Sequence, residues 1–404
     1  MEETLMTSSK LFEMRNLKIG LVCRFPLSKK FYSFQLAEGL RNLGAEVLLY
    51  GPKWGGLQTL KEDQRILKVW SPLTYIIDIP RRAIKDRVNI VHIQFEIPTF
   101  HLIGSLLLPL LLLILKMTRK KVVVTIHGPI FPRNNISRYL KIILPNFPLP
   151  LLSMVGILIP SLYLLVDRLS DGIIVHARVF KRWLTEFGLR KIYVIYHGID
   201  DGEIIDNDGE KDVILCLGTI APRKGVHTFL HSISLIKDEL KRRKIKAIIA
   251  GPLPSTLGDG EYLRKLFESY RDIKDVVDIK GFLLDDELKE LLKRTKIMCS
   301  SYPVSICASG ILAVAISKNI PIIVTNTLYF KEILGEDYPL MVQPDDSHNL
   351  SNCIYAIING AVDLQKVYEK FSFLRKRFAW SCVAQQHLKL YLSLLLSGNS
   401  KSHF

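Results

Sequence analysis

With 404 residues the chain exceeds one small core, and at roughly 150 residues per domain it predicts two or three domains. A content of 48% hydrophobic and 23% charged residues, with Gly 24 and Pro 19, excludes a disordered chain and a collagen-like one. Lys+Arg 55 against Asp+Glu 39 leaves a net charge of +16, which favours anionic partners: nucleotide phosphates, nucleic acid or an acidic membrane face.

The opening stretch MEETLMTSSKLFEMRN lacks the apolar core of a signal peptide, so the expected location is cytoplasmic. From Leu17 to about Asn326, strand-like and helix-like segments alternate. LKIGLVC, AEVLLYG, VNIVHIQFE, KVVVTIHG, DGIIVHA and KIYVIYHG are apolar runs of strand length. Such continuous runs separated by helices predict a parallel sheet covered on both faces. The pattern then restarts with DVILCLG, KAIIAGP, VVDIKGF, KIMCSSY and IPIIVTN. Two doubly wound halves are expected, joined near Asp201–Lys211, where DGEIIDNDGEK offers turn residues and charge but little to bury. Six cysteines (Cys23, Cys216, Cys299, Cys307, Cys353 and Cys382) show no paired spacing and read as reduced thiols.

Two apolar stretches interrupt the first half. Leu102–Met117 is shorter than the ~20 residues of a membrane span and predicts a buried crossover helix. Ile142–Val166 has that length, but contains Pro145, Pro148, Pro150 and Pro160. It reads either as a buried element or as one dipping into a membrane surface, with Lys29–Lys30 and Arg119–Lys121 available to anionic headgroups. Strands of one sheet flank both stretches, so neither is expected to span.

In the second half, DVILCLG runs into Gly218-Thr219-Ile220-Ala221-Pro222-Arg223-Lys224-Gly225 and then a helical pattern. A glycine at the strand end admits a ligand to the backbone, and Arg223 and Lys224 supply positive charge for a diphosphate. The alternative is a plain strand–helix turn with two solvated cations. Ser309 predicts an N-cap for a helix that ends at Asn319, and its N–H groups suit a phosphate or sugar oxygen. An ordinary core helix fits the same residues.

Together these segments resemble the retaining GT-B glycosyltransferases of family 4 (group 1), almost end to end. GTIAPRKGVHTFL is similar to that family's donor loop, and GFLLDDELKELLKRTKIMCSSY to its segment between base-binding turn and donor helix. SGILAVAISKNIPIIVTN resembles the donor helix and following strand, and FAWSCVAQQHLKLY the tryptophan-containing terminal helix that crosses back to the first domain. TIHG and YHGID match the histidine after a strand and the turn before the linker. The resemblance implies a GT-B fold of two Rossmann-like domains facing a cleft, with boundaries at 1–203, 204–379 and a terminal helix 380–404. It implies His127, Lys224 and Arg223 as catalytic. Gly218, Thr219, Phe282, Ser309, Gly310 and Ile311 would bind the donor, and Gln94 and Glu96 would lie on the acceptor side. His127 would hydrogen-bond a sugar hydroxyl or stabilise developing charge, and Glu96 would orient the acceptor hydroxyl or cap a helix.

The departures are as informative. The family's paired carboxylates, which contact donor sugar and ribose, fall on Ile306 and Val314. Thr219 replaces the donor-loop arginine, and CRFPLSKK replaces a glycine pair after the first strand. The expectation is metal-independent transfer of a sugar from a nucleotide sugar, with retention and no cofactor, to a polyprenyl- or dolichyl-linked glycan or a glycolipid. The enzyme would sit peripherally at the inner membrane face. The Asp206-Asn207-Asp208 match to a metal-binding Asp-x-Asp lies in the expected linker and is discounted. The rivals are a catalytically lapsed GT-B scaffold subunit and a nucleic-acid binder. The latter is disfavoured because only Lys241–Lys246 clusters basic charge.

Overall fold

The computed structural model describes residues 17–24, 31–53, 66–143, 148–200, 202, 204–205, 209–252 and 259–399. Lys29–Lys30, most of CRFPLSKK, Pro145 and Asp206-Asn207-Asp208 lie outside these. Contacts divide the chain into two units. One comprises Met1–Arg133, Ile157–Gly198 and Phe378–Phe404, the other Asn134–Gly156 and Ile199–Arg377.

The first unit holds β1 (Lys18–Val22), β2 (Glu46–Pro52), β3 (Ile66–Trp70), β4 (Ile90–Glu96), β5 (Lys121–Gly128), β6 (Gly172–Val175) and β7 (Ile192–Val194). They form one sheet in the order β3-β2-β1-β4-β5-β6-β7, every pair parallel. The second unit holds β8 (Val213–Leu217), β9 (Lys246–Ala250), β10 (Val277–Lys280), β11 (Thr295–Ser300), β12 (Ile322–Thr325) and β13 (Met341–Val342). Their order is β10-β9-β8-β11-β12-β13, again all parallel. Continuous apolar runs such as KVVVTIHG and VILCL are buried as central parallel strands because helices cover both faces. Sequence patterning predicts six and five strands. The additions, β3 and β13, are an edge strand only partly buried and a strand of two residues.

The direction of strand order reverses between β1 and β4 in the first sheet and between β8 and β11 in the second. At such a reversal the crossovers diverge to either side, and a crevice opens at the carboxyl ends of the two central strands.

Both apolar stretches form helices, and the first departs from expectation. Leu102–Met117 belongs to the helix Ile97–Met117, which buries Leu108, Leu111, Leu112 and Leu115 but exposes Leu106, Leu110, Leu113 and Met117. It is therefore a one-sided crossover helix and not a fully buried one. The second stretch contains an unbroken helix, Leu149–Leu169. Pro150 fits its first turn, where no intrahelical N–H bond is required. Pro160 lies inside, and the neighbouring Ser161 hydroxyl donates to the Ile157 carbonyl at 2.8 Å. Leu152, Ile159, Leu162, Tyr163 and Val166 are buried, while Leu151, Met154, Ile157, Leu158 and Leu165 are exposed. Pro150–Leu169 is long and apolar enough to cross a bilayer. It is, however, part of the connection between β5 and β6, which pair directly, so both ends of that connection return to one sheet.

The final helix, Trp380–Asn399, packs on the helix Tyr32–Asn42. Trp380, Val383, Ala384, Leu388, Tyr391 and Leu394 join Leu36, Ala37 and Leu40 in the first unit's core. Each large apolar side chain so buried stabilises by about 1.5–3 kcal/mol. Gly198 is required here, since a Cβ on it would fall 2.3 Å from the Trp380 indole. Trp380→Ala should destabilise the first unit by about 3–5 kcal/mol. Urea unfolding followed by circular dichroism measures this, and a loss below about 1 kcal/mol would contradict the packing role assigned to Trp380.

Candidate functional site

In the second unit, the reversal between β8 and β11 gathers most of the residues expected to bind a donor. Gly218 directly follows β8, and a Cβ placed on it would meet the Ile311 side chain at 3.5 Å. Gly218 also abuts Gly251 at the end of β9, where an added Cβ would fall 2.1 Å from the Gly218 carbonyl oxygen. Gly251 N–H in turn donates to the Gly281 carbonyl at 3.1 Å, which ties the turn after β10 to the same edge. Phe282, on that turn, is 45% exposed.

The turn Pro222–Lys224 ends at Gly225, whose φ of 66° and close approach to Ser301 leave no room for a side chain. A Cβ there would lie 1.8 Å from the Ser301 carbonyl oxygen. The turn is thereby locked against the end of β11. Lys224 Nζ donates to the Tyr302 hydroxyl at 2.7 Å and sits over that ring, 4.1 Å from its centroid. Tyr302 Oη lies 3.3 Å from Ser309 Oγ. Arg223 forms no ion pair among the described residues and is half-buried. The helix Asn134–Gly156 segment contributes, Ile136–Ile143, packs against the same turn.

Ser309 caps the helix Gly310–Lys318 as expected: its hydroxyl accepts from Leu312 N–H at 3.2 Å. Asn319 ends the helix with φ 57°. Ser309 N–H is itself bound by the Tyr329 hydroxyl at 3.1 Å. The first turn still presents N–H groups without intrahelical acceptors at Gly310 and Ile311, and a Cβ on Gly310 would meet open space. A glycine-lined strand end, one ammonium and an open helix terminus together form an anion-binding arrangement. Ile306 is buried and Val314 half-buried, so no carboxylate occupies either position.

The first unit holds a second cluster. Pairing of β4 with β5 runs Gln94↔Thr125, Phe95↔Ile126 and then Glu96↔Gly128, so His127 is the extra residue of a bulge. Bulges re-aim side chains at strand ends. His127 Nε2 lies 2.7 Å from Gln94 Oε1, and its Nδ1 lies 3.2 Å from His176 Nε2. Gln94 is 5% exposed, hydrogen-bonded within the cluster, so it is a buried partner of His127 and not an open acceptor-side group. Glu96 is exposed and precedes the helix Ile97–Met117, but its side chain makes no capping bond. The Tyr32 ring packs against His127, His176, His197 and Trp380 at centroid distances of 4.9, 5.0, 5.2 and 5.0 Å. His197, for which the sequence suggests no partner, thus lies in this cluster, and His227 meets Tyr262 and Asp345.

Burial sets the protonation of this cluster. With a smaller contribution from neighbouring histidines it holds His127 down to about 3, and it holds His387 on the final helix, whose Nε2 lies 3.4 Å from the Tyr32 hydroxyl, to about 4. Enclosed His92 and His176 are driven well below the usual imidazole range by the same loss of solvation. All four rings are neutral near pH 7. Sequence reasoning misses Tyr302, Gly251, His176 and Tyr32. The signal for His176 was present in DGIIVHA, which ends its strand as TIHG does.

Two parallel α/β units whose second carries this anion-binding reversal define the GT-B glycosyltransferase fold. The chain matches Glycosyltransferase Family 4 over residues 31–203 and Glycosyl transferases group 1 over residues 200–372. It belongs to the group 1 glycosyltransferase family. An uncharacterized glycosyltransferase of Methanocaldococcus jannaschii is 24% identical over 231 residues, 56% of this chain and 60% of that protein. The match therefore spans less than two thirds of that relative. Sucrose-phosphate synthase from Thermosynechococcus elongatus superposes with a TM-score of 0.69 at 14% identity, covering 95% of this chain and 100% of that one. Anabaena Alr3699/HepE in complex with UDP-glucose gives 0.68 at 14% identity, covering 94% and 100%. A Rickettsia africae glycosyltransferase gives 0.65 at 16%, covering 94% and 98%.

The neutral histidines couple stability to pH. Each has a folded pKa below its unfolded value of about 6.5, so the unfolded state binds the extra protons. Their penalty is absent above about pH 6.5 and grows as pH falls towards about 3–4, by up to about 1.4 kcal/mol per pH unit for each histidine. Urea midpoints should fall between pH 7.5 and 5.0, and His387→Phe should show a shallower fall. Equal slopes in the two proteins would place His387 outside the buried set.

Proposed function

We propose that this chain transfers a sugar from a nucleotide-sugar donor, with retention, to a lipid-linked glycan or glycolipid at the cytoplasmic membrane face. The observation that carries the donor half is the convergence of Gly218, Lys224, Ser309 and Gly310 at the reversal between β8 and β11. The diphosphate would accept hydrogen bonds from the Gly310 and Ile311 N–H groups and from Lys224, with Arg223 adding charge. Lys224 already lies over an electron-rich ring, and trading the Tyr302 hydroxyl for a phosphate oxygen needs only a side-chain movement. Fixed cations and the helix terminus would stabilise the departing nucleoside diphosphate without a divalent metal or cofactor. His127 would act on the sugar. The binding of UDP and UDP-glucose by Alr3699/HepE supports a nucleotide-sugar donor.

The acceptor half rests on two exposed apolar stripes. Leu106, Leu110, Leu113 and Met117 recur at helical spacing on one helix, and Leu151, Met154, Leu158 and Leu165 on the other. Burying even a few would contribute ~1.5–3 kcal/mol per side chain, and basic residues such as Arg119–Lys121 about 1 kcal/mol each near an anionic leaflet. The result is reversible, salt-sensitive attachment. The apolar residues at Ile306 and Val314 favour a second reading, a scaffold subunit that binds a nucleotide sugar without turning it over.

A donor-hydrolysis screen across nucleotide sugars, paired with calorimetry, separates these. Turnover supports the enzyme, and binding without turnover supports the scaffold. Lys224→Ala should lower turnover roughly 10- to 100-fold, the worth of a charge-assisted bond of about 1.5–3 kcal/mol. Its thermal midpoint should stay near that of the parent, and wild-type turnover would remove this loop from the mechanism. For the membrane, the protein should float with anionic vesicles at low salt and be released at high salt. Leu151→Asp with Leu158→Asp should abolish flotation. Recovery of the parent in the soluble fraction at low salt would make a soluble acceptor the better assignment.

A further inference from the structure

A lysine beside an anion site can be ordered in two ways, which differ in what is left for the ligand. Pairing with a carboxylate fixes the ammonium but offsets its charge, whereas a neutral acceptor or an aromatic face fixes it and leaves the charge whole. Lys224 is held in the second way. Its Nζ donates to the Tyr302 hydroxyl at 2.7 Å and lies 4.1 Å from the centre of that ring, and it forms no ion pair among the described residues. Its charge reaches the buried Cys216 thiol in β8, where it opposes the rise in pKa that burial causes.

Tyr302 suits this role because it is itself fixed. It is 5% exposed, its ring packs against Phe330 at a centroid distance of 5.6 Å, and its carbonyl accepts from the Thr325 hydroxyl at 2.6 Å. The preceding residue holds the other end of the turn, since the Ser301 hydroxyl donates to the Gly225 carbonyl at 2.8 Å. Two successive residues after β11 thus fix both the backbone and the ammonium of the turn Pro222–Lys224. An ammonium has three N–H donors and no acceptor, so the Tyr302 oxygen uses at most one of them. That oxygen accepts from Lys224, which leaves its own hydrogen for Ser309 Oγ at 3.3 Å, the cap of the helix Gly310–Lys318.

We propose that Tyr302 is a positioning residue whose ring holds Lys224 as an ordered cation of undiminished charge beside the helix terminus, ready for a phosphate oxygen. This role rests on the reading of the edge between β8 and β11 as a diphosphate site, and adds what orders its cation. Exchange of the Tyr302 hydroxyl for a phosphate oxygen leaves the ring contact in place, so the ring and not the hydroxyl is the part that counts. Much of the rotamer freedom of Lys224 is then lost before the anion arrives, and binding has less of it to remove.

Two readouts on the full-length chain test this. With 13C-lysine labelling of the free protein, the Lys224 ε-methylene resonance, assigned by its loss in Lys224→Ala, should be displaced from the position of exposed lysines by the Tyr302 ring current. Tyr302→Phe keeps the ring and should keep the displacement, whereas Tyr302→Leu should abolish it. An undisplaced resonance in the parent, or a displacement that survives in Tyr302→Leu, overturns the proposal. In calorimetry with inorganic pyrophosphate, Tyr302→Leu should weaken binding roughly 3- to 20-fold, the range of one cation–π contact, and Tyr302→Phe should recover most of it. In the Lys224→Ala background, Tyr302→Leu should have no further effect. An equal loss with and without Lys224 would make Tyr302 a packing residue only and overturn the proposal. Should Tyr302→Leu not fold, the parent resonance and its persistence in Tyr302→Phe decide. A folded parent that binds no pyrophosphate would count against the diphosphate site, while the lysine resonance would still decide whether Tyr302 orders Lys224.

Discussion

The structure depends on one topological constraint, that a parallel sheet cannot reverse its winding without leaving a gap. Both sheets reverse once, between β1 and β4 and between β8 and β11. Crossover helices leave each reversal on opposite faces, and the carboxyl ends of the two central strands stay uncovered. In the second unit, that opening is lined by backbone more than by side chain. Gly251 against Gly218 and Gly225 against Ser301 bring the chain so close to itself that only glycine fits. The charge of Lys224 and the helix terminus at Ser309 are then held at one edge by packing, before any ligand arrives.

The same edge keeps its framework with apolar residues at two positions of the donor-side segment. Ile306 and Val314 stand where the sequence resemblance implies carboxylates, and both are accommodated as apolar side chains. The elements proposed to meet the diphosphate do not depend on those positions, because they consist of backbone N–H groups, a serine cap and one lysine braced on Tyr302.

Much of this was legible in the sequence because burial writes continuous apolar runs. KVVVTIHG and DVILCLG sit at the centre of their sheets and read plainly. β3 carries Lys68 at an edge and β13 is two residues long, so neither could leave such a run. The prolines do not break Leu149–Leu169, since Pro150 lies in the first turn, where a missing N–H costs nothing. Ser309 and Asn319 were legible as helix ends because capping is local chemistry. The histidine cluster was not, because Tyr32, Gln94, His127, His176 and Trp380 are far apart in sequence. They meet only through the lateral order β4-β5-β6 and the return of the last helix.

That return has a consequence for synthesis. The first unit's core contains Trp380, Val383, Leu388, Tyr391 and Leu394, contributed by the final helix. A chain emerging from the ribosome can assemble the first sheet early, but it must hold an apolar face of the helix Tyr32–Asn42 open until some three hundred and forty further residues have been made. The second unit, whose last segment ends at Arg377, is complete sooner. The N-terminal half is therefore the last to close, and for the length of translation its unfinished surface is the natural client of a chaperone.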